Sequence, residues 1–182
     1  MPQAADRALV SVATAYRYFA SAEDLWWEAS TAAIALEPAL SAADELVDAA
    51  GDDPGARLEA LIRTTSFHMF DDQAPYRRLA KAALDQWFTQ VDTPEGERAP
   101  VREGRRNDLI AMTLEPLRGR IPKKGLDRIA HALGVVVGTD AMLALIDGVR
   151  LPVPDAKKSV LDASRWILAG ALAELGHDQP QP

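Results

Sequence analysis

Apolar positions recur along this chain at spacings of three and four, while the strict alternation that marks a half-buried strand is absent. Ala and Leu, both strong helix formers, carry most of that pattern, so the sequence predicts an all-α chain. The first elements are short. A helix is expected over about residues 3–8 and another over about 12–18, with Ser11 as its N-cap and Thr14 three residues on. Ser21 reads as a second N-cap, with Glu23 and Asp24 in the first turn, where the helix dipole favours anions. Leu25, Trp26, Ala29, Ala33 and Leu36 then form a stripe up to Pro38, and a further helical segment over about 39–50 ends at Gly51.

Beyond the "GDDPG" turn, Leu58, Leu61, Ile62, Thr65 and Met69 line one helical face to about residue 70. Pro75 opens the next helix, in which Leu79, Ala83, Trp87 and Val91 align, with Leu84 and Phe88 beside them. Residues 92–104 are rich in Pro, Gly and charge and are expected to be the least ordered stretch. A helix over about 105–118 and the turn "RGRIPKKG" come next. From Gly125 to Val149 the sequence is apolar on nearly every side, as in a helix buried in a bundle or an interface. After "LPVPD", a last helix over about 155–175 carries the stripe Val160, Ser164, Ile167, Ala171 and Leu175, widened by Leu161, Leu168 and Leu172. Its small residues Ala163, Ser164, Gly170 and Ala171 leave room for a close helical neighbour. Two long helices of this kind favour a four-helix interface between two-fold related subunits; burial within one subunit is the alternative.

Composition narrows the classes. With 182 residues, 48% apolar and 26% charged, the chain has the profile of a soluble globular protein of one large domain, or of a small domain joined to a larger one. The absence of cysteine excludes disulfides, thiolate metal sites and cysteine nucleophiles. The N-terminus lacks the basic-then-apolar pattern of a secretory signal, and the run "ALGVVVG" is too short to span a bilayer, so a cytoplasmic protein without a membrane partner is expected. A net charge of −7 argues against binding nucleic acid through overall charge. The distribution is uneven, however: residues 37–53 hold six acids and no base, while residues 98–124 hold eight bases against three acids. The basic cluster, "VREGRRN" and "LRGRIPKK", reads first as solvated loops and helix ends, and second as a patch facing phosphate.

The segment "ADRALVSVATAYRYFASAEDLWWEA" resembles the helix-turn-helix of the TetR family of bacterial transcriptional regulators. "AADRA" matches its short helix, "LVS" the turn, "VATAYRYF" the recognition helix and "SAEDL" the opening of the long fourth helix. The helix that precedes these in the family has no counterpart before Met1, so the resemblance is to a partial module over residues 1–21. More weakly, "ALDQWF", "GRRNDLIAMTLEPL" and "ALGVVVGTDAMLALIDGV" resemble the family's middle and dimer-forming helices, which implies a ligand-binding and dimerisation domain over residues 22–182. The resemblance implies a homodimer through the two C-terminal helices, acting as a repressor on a palindromic double-stranded DNA operator, and released by an unknown small-molecule effector. By position, Ser11, Val12, Ala13, Thr14, Tyr16, Arg17 and Tyr18 fall where the family contacts DNA. Their chemistry agrees: Thr14 and Arg17 can reach base edges or phosphates, Ala13 a thymine methyl, and tyrosine hydroxyls a phosphate. Phe19 reads as packing instead.

A ligand pocket is expected between the middle helices, with Thr65, Met69, Trp87, Phe88, Met112 and Asp140 as candidates. Asp140 lies in a nearly all-apolar segment and must be paired or hydrogen-bonded, either to a ligand or to a nearby Arg or helix cap. An enzyme is not expected. His68, His131 and His177 lie on different segments, and no phosphate loop, nucleophile elbow, paired-carboxylate motif or metal-ligand spacing occurs, so neither cofactor nor metal is implied. The rival reading is a dimeric small-molecule-binding or protein-interaction module that does not read DNA, with apolar surface around Leu9, Val10, Tyr16 and Phe19 open to a partner.

Overall fold

Proline at the second position, where a missing N–H costs nothing, starts a helix at once, and a computed structural model shows the first element, α1, as Pro2–Arg7. The structure describes residues 1–22, 24, 25, 28, 45–100 and 105–177. Helix α2 is Val12–Tyr18, with the boundaries its Ser11 cap predicts. The second cap is present as well: Ser21 accepts the Asp24 N–H at 2.9 Å. The stripe expected at Trp26, Ala29, Ala33 and Leu36 lies outside the described residues. The segment expected over 39–50 is described from residue 45, is helical over 45–49 and ends at Gly51, whose φ of 71° is left-handed.

Asp53 caps α3, Pro54–Leu61, by accepting the Gly55 N–H at 2.9 Å. The helical run then passes through a π turn, Ile62–Ser66, into α4, Phe67–Asp71. The sequence pattern misses this turn. Within it, Thr64 and Thr65 donate their hydroxyls back to the carbonyls of Ala60 and Leu61, both at 2.8 Å, giving those carbonyls acceptor bonds where the wider turn sits. The extra residue rotates the turns beyond it. Leu58, Leu61 and Ile62 are buried as expected, but Ser66 and Phe70 then face the core in place of Thr65 and Met69, which are half-buried.

Helix α5, Gln73–Thr89, buries Tyr76, Ala80 and Ala83. Its C-terminal turn does not enter the core: Leu84, Trp87, Phe88 and Val91 are exposed. The stretch expected to be least ordered is organised where it is described. A short 3₁₀ turn, Glu95–Glu97, leads into Arg98, which donates to the carbonyls of Thr93 (2.8 Å) and Val91 (2.9 Å). Gln90 accepts the Ala99 N–H at 2.6 Å. Helix α6, Arg105–Thr113, ends in a 3₁₀ turn, Glu115–Leu117, in which Pro116 sits.

The long apolar run is two helices, not one. Helix α7, Lys123–Val136, and helix α8, Thr139–Leu143, are separated by Val137 in extended conformation and Gly138 at φ 108°, ψ −165°. That region of backbone space is essentially closed to any residue with a Cβ. A π turn, Ala144–Gly148, closes this segment, and α9, Val153–His177, returns alongside. By length and composition Lys123–Gly148 is apolar enough to cross a membrane, but it is broken at Gly138 and a third of its most apolar window is buried within the protein.

The molecule is all-α, with no strand among the described residues. Helices α7 and α9 pack on each other, α6 packs on α7 and on α3, and α8 on α5. Leu58, Leu61, Ile62, Ile110, Leu133 and Met142 are fully buried at this junction, contributed by α3, the π turn, α6, α7 and α8. Close approach of α7 and α9 falls at Gly125, where a Cβ would lie 2.8 Å from Ile121 and 3.2 Å from Leu175. Gly170, expected to serve that role, has open space around it.

Buried Arg57 ties segments far apart in the chain. It donates to Gly51 O and Asp48 (3.1 Å each) and across to Met112 O on α6 (3.2 Å). At the surface, Glu59 accepts from Arg165 at 2.5 Å and from Arg63 at 2.8 Å. Those two hydrogen bonds, Arg165's first, hold its carboxyl below its ordinary value of 4.5. The resulting stabilisation is complete above that value and fades as pH falls through the depressed one.

Two glycines of the α7–α8 segment predict opposite outcomes. Gly138→Ala should cost about 1–3 kcal/mol in urea unfolding, because it forces a Cβ into glycine-only backbone space. Gly134→Ala, inside α7 with only an ordinary 3.7 Å contact to Asn107, should gain about 0.5–1 kcal/mol.

Candidate functional site

The α1–α2 hairpin is built from two caps set back to back. The Val10 N–H reaches the Ala5 carbonyl at 3.0 Å and the Leu9 N–H reaches Asp6 O at 3.1 Å, a Schellman closure of α1. Its left-handed position, normally glycine, is Leu9 at φ 55°, with a side chain 93% exposed. The chain then turns at Ser11, whose Oγ accepts the Thr14 N–H at 3.0 Å and lies 2.8 Å from the Thr14 hydroxyl. Ala5 and Ala15 are buried and their small side chains let the two helices meet; Phe19 is half-buried.

That inward set leaves a defined outward one. Ser11, Val12, Ala13, Tyr16, Arg17 and Tyr18 are exposed and Thr14 is half-buried. By helical spacing Val12, Ala13, Tyr16 and Arg17 share a face. The Arg17 guanidinium lies 5.2 Å from the centre of the Tyr18 ring and 3.5 Å from its hydroxyl, so the one cation of this helix is held over an aromatic face and stays open to solvent. Six of the seven residues expected to contact DNA are thus exposed on one short, capped element, and the seventh, Thr14, is half-buried with its hydroxyl against the Ser11 cap.

The six ligand candidates are not gathered in the same way. Thr65 spends its hydroxyl on Leu61 O, Met69 is half-buried against the core, and Met112 is half-buried. Trp87 and Phe88 meet edge to face at 5.2 Å but are exposed, with Arg98 over the Trp87 ring at 5.7 Å. Asp140 pairs with Arg106 at 3.3 Å, and Arg106 also donates to Val137 O at 3.3 Å, so one guanidinium spans the break at Gly138. Asp140 is exposed, and the Arg106 pair is one of the partners expected for it.

Two clefts lie elsewhere. One, of about 390 Å³, runs between α6 and α7 over Leu114, Ile121, Leu126 and Ala130, with Arg118 and Lys123 at its edge. Only the basic cluster "LRGRIPKK" hinted at it, since its apolar side is assembled from separate helices. The other, of about 420 Å³, is a groove on the outer face of α7 and α9 beside His131, Ala132, Ile167 and Ala171, crossed by an Arg128–Glu174 pair at 2.9 Å. Val135 on α7 and Trp166 on α9, each 73% exposed, flank that face, and neither stands out in the sequence pattern. Trp166, Gly170, Ala173 and Glu174 align on it by helical spacing.

No protein-family model, no curated protein and no solved structure matches the chain.

The hairpin makes a paired prediction. Ser11→Ala should destabilise α2 by about 1 kcal/mol and speed exchange of its amides roughly fivefold, while Leu9→Gly should slow it by relieving the left-handed leucine. Hydrogen exchange resolved at residues 14–18 checks both.

Proposed function

We propose that the chain is a TetR-like transcriptional regulator: a homodimeric, ligand-responsive repressor that reads a palindromic operator with α2. The observation that carries this reading is the α1–α2 hairpin, in which a doubly capped turn presents Ser11, Val12, Ala13, Tyr16, Arg17 and Tyr18 to solvent. Exposure of a short helix with a hydroxyl cap, a methyl, two phenols and a guanidinium suits major-groove contact better than it suits packing. The outer face of α7 and α9, with Trp166 and Val135 bare, supports the second element of the proposal, association through the two C-terminal helices. In a dimer each α2 would meet one half-site, and an effector bound in the helical body would change their separation and with it the affinity for DNA.

A second reading, a dimeric ligand-binding or protein-interaction module that does not read DNA, draws on a different observation. Leu9, Val10 and Val12 are exposed beside Tyr16, and the hairpin carries only Arg7 and Arg17 as cations in a chain of net charge −7.

Selection from a random duplex pool, with anisotropy titration across a salt series as the second step, separates the two. The regulator reading expects enrichment of an inverted repeat. It also expects affinity that falls log-linearly with salt, and at least a tenfold loss in Arg17→Ala. Failure to enrich any site, or binding indifferent to both salt and Arg17→Ala, leaves the second reading.

A further inference from the structure

The α6–α7 cleft combines an apolar floor with a charged edge. Its floor is aliphatic: Leu114 at the end of α6, Ile121 in the turn, and Leu126 with Ala130 one helical turn apart on α7. Its edge is charged and carries one more cation than anion, with Arg118, Lys123 and Asp127 lining the same space. Residues 115–127 carry four cations, Arg118, Arg120, Lys123 and Lys124, against Glu115 and Asp127, a local surplus opposite in sign to the molecule's net charge. Both edge cations keep donors in reserve. Arg118 engages Glu115 through Nε at 2.7 Å, which leaves the terminal nitrogens of its fork. Lys123 engages Asp127 at 2.8 Å with one of three ammonium protons. At about 390 Å³ the cleft falls in the range of small-molecule sites, roughly 300–1,000 Å³.

We infer that this cleft binds a small amphiphilic anion, its alkyl chain on the aliphatic floor and its carboxylate or phosphate head between Arg118 and Lys123. Both cations are paired, but a neutral chain would leave their remaining donors to water, and an inorganic anion would leave the floor wet. The two parts together select a molecule with both. The inference goes beyond the regulatory reading and does not rest on it, since no DNA enters its test.

The test is calorimetric titration of the full chain with octanoate, octyl phosphate and neutral octanol, together with Arg118→Glu/Lys123→Glu and Ala130→Trp. Saturable binding of one anion per chain is expected, tightening about fourfold per added methylene from hexanoate to octanoate. Octanol should bind at least tenfold more weakly than the better anion. The charge-reversed variant should lose at least tenfold while remaining folded by circular dichroism, and Ala130→Trp should fill the floor and abolish binding. The tighter of the two anions identifies the head group. Absence of stoichiometric binding by both anions, octanol binding as tightly as they do, or undiminished anion affinity in the charge-reversed variant overturns the proposal. That last variant alters only exposed side chains and so decides the matter even where Ala130→Trp does not fold.

Discussion

The arrangement of the helical body turns on one residue without a side chain. Lys123–Gly148 is apolar enough to form a single long helix, and a straight helix would offer its whole length to α9 alone. Gly138 breaks it at a backbone conformation that only glycine tolerates, so that α7 covers α6 and α9 while α8 covers α5. Arg106 holds the break from outside, donating to Val137 O on one side and to Asp140 on the other. A Cβ on Gly138 would lie 3.2 Å from that guanidinium, so backbone freedom and the arginine clamp depend on each other.

The hairpin at the start of the chain uses the opposite economy. It has little core of its own, with Ala5 and Ala15 as its buried residues, and it holds its geometry through caps. A Schellman closure ends α1 and a serine cap begins α2, and the left-handed leucine between them keeps the turn short. Apart from Ser11, whose Oγ is the cap, and Thr14, whose hydroxyl meets it, capping leaves the side chains of the outer face available. This is why a seven-residue helix can present Tyr16, Arg17 and Tyr18 rather than bury them, and why the functional reading rests on it.

Much of this is legible in the amino-acid order, and the failures share a cause. Ser11, Ser21 and Asp53 act locally, through hydrogen bonds two or three residues along the chain, and each is either readable as a cap or marked by its "GDDPG" turn. Helical phase also locates Leu58, Leu61, Ile62, Val160 and Leu168 in the core. Phase fails where it is uniform or shifted. From Gly125 to Val149 nearly every position is apolar, so no change of pattern marks the break at Gly138. At Ile62–Ser66 a π turn adds one residue and moves burial from Met69 to Phe70. Contacts across the chain are invisible for the same reason: nothing near "GARLEA" announces that Arg57 reaches Met112, and nothing in Leu114 or Leu126 alone announces a shared cleft.

Reading a palindromic operator needs two copies of α2 held at fixed separation, and the candidate for holding them is the bare face of α7 and α9 around Trp166. Sedimentation velocity of the full chain beside Trp166→Glu tests that most directly. The expected result is a species of twice the 19.7 kDa chain mass at low micromolar concentration, reverting to a folded monomer in the variant. A wild-type monomer at that concentration, or a dimer unaffected by the charge placed at residue 166, would contradict it.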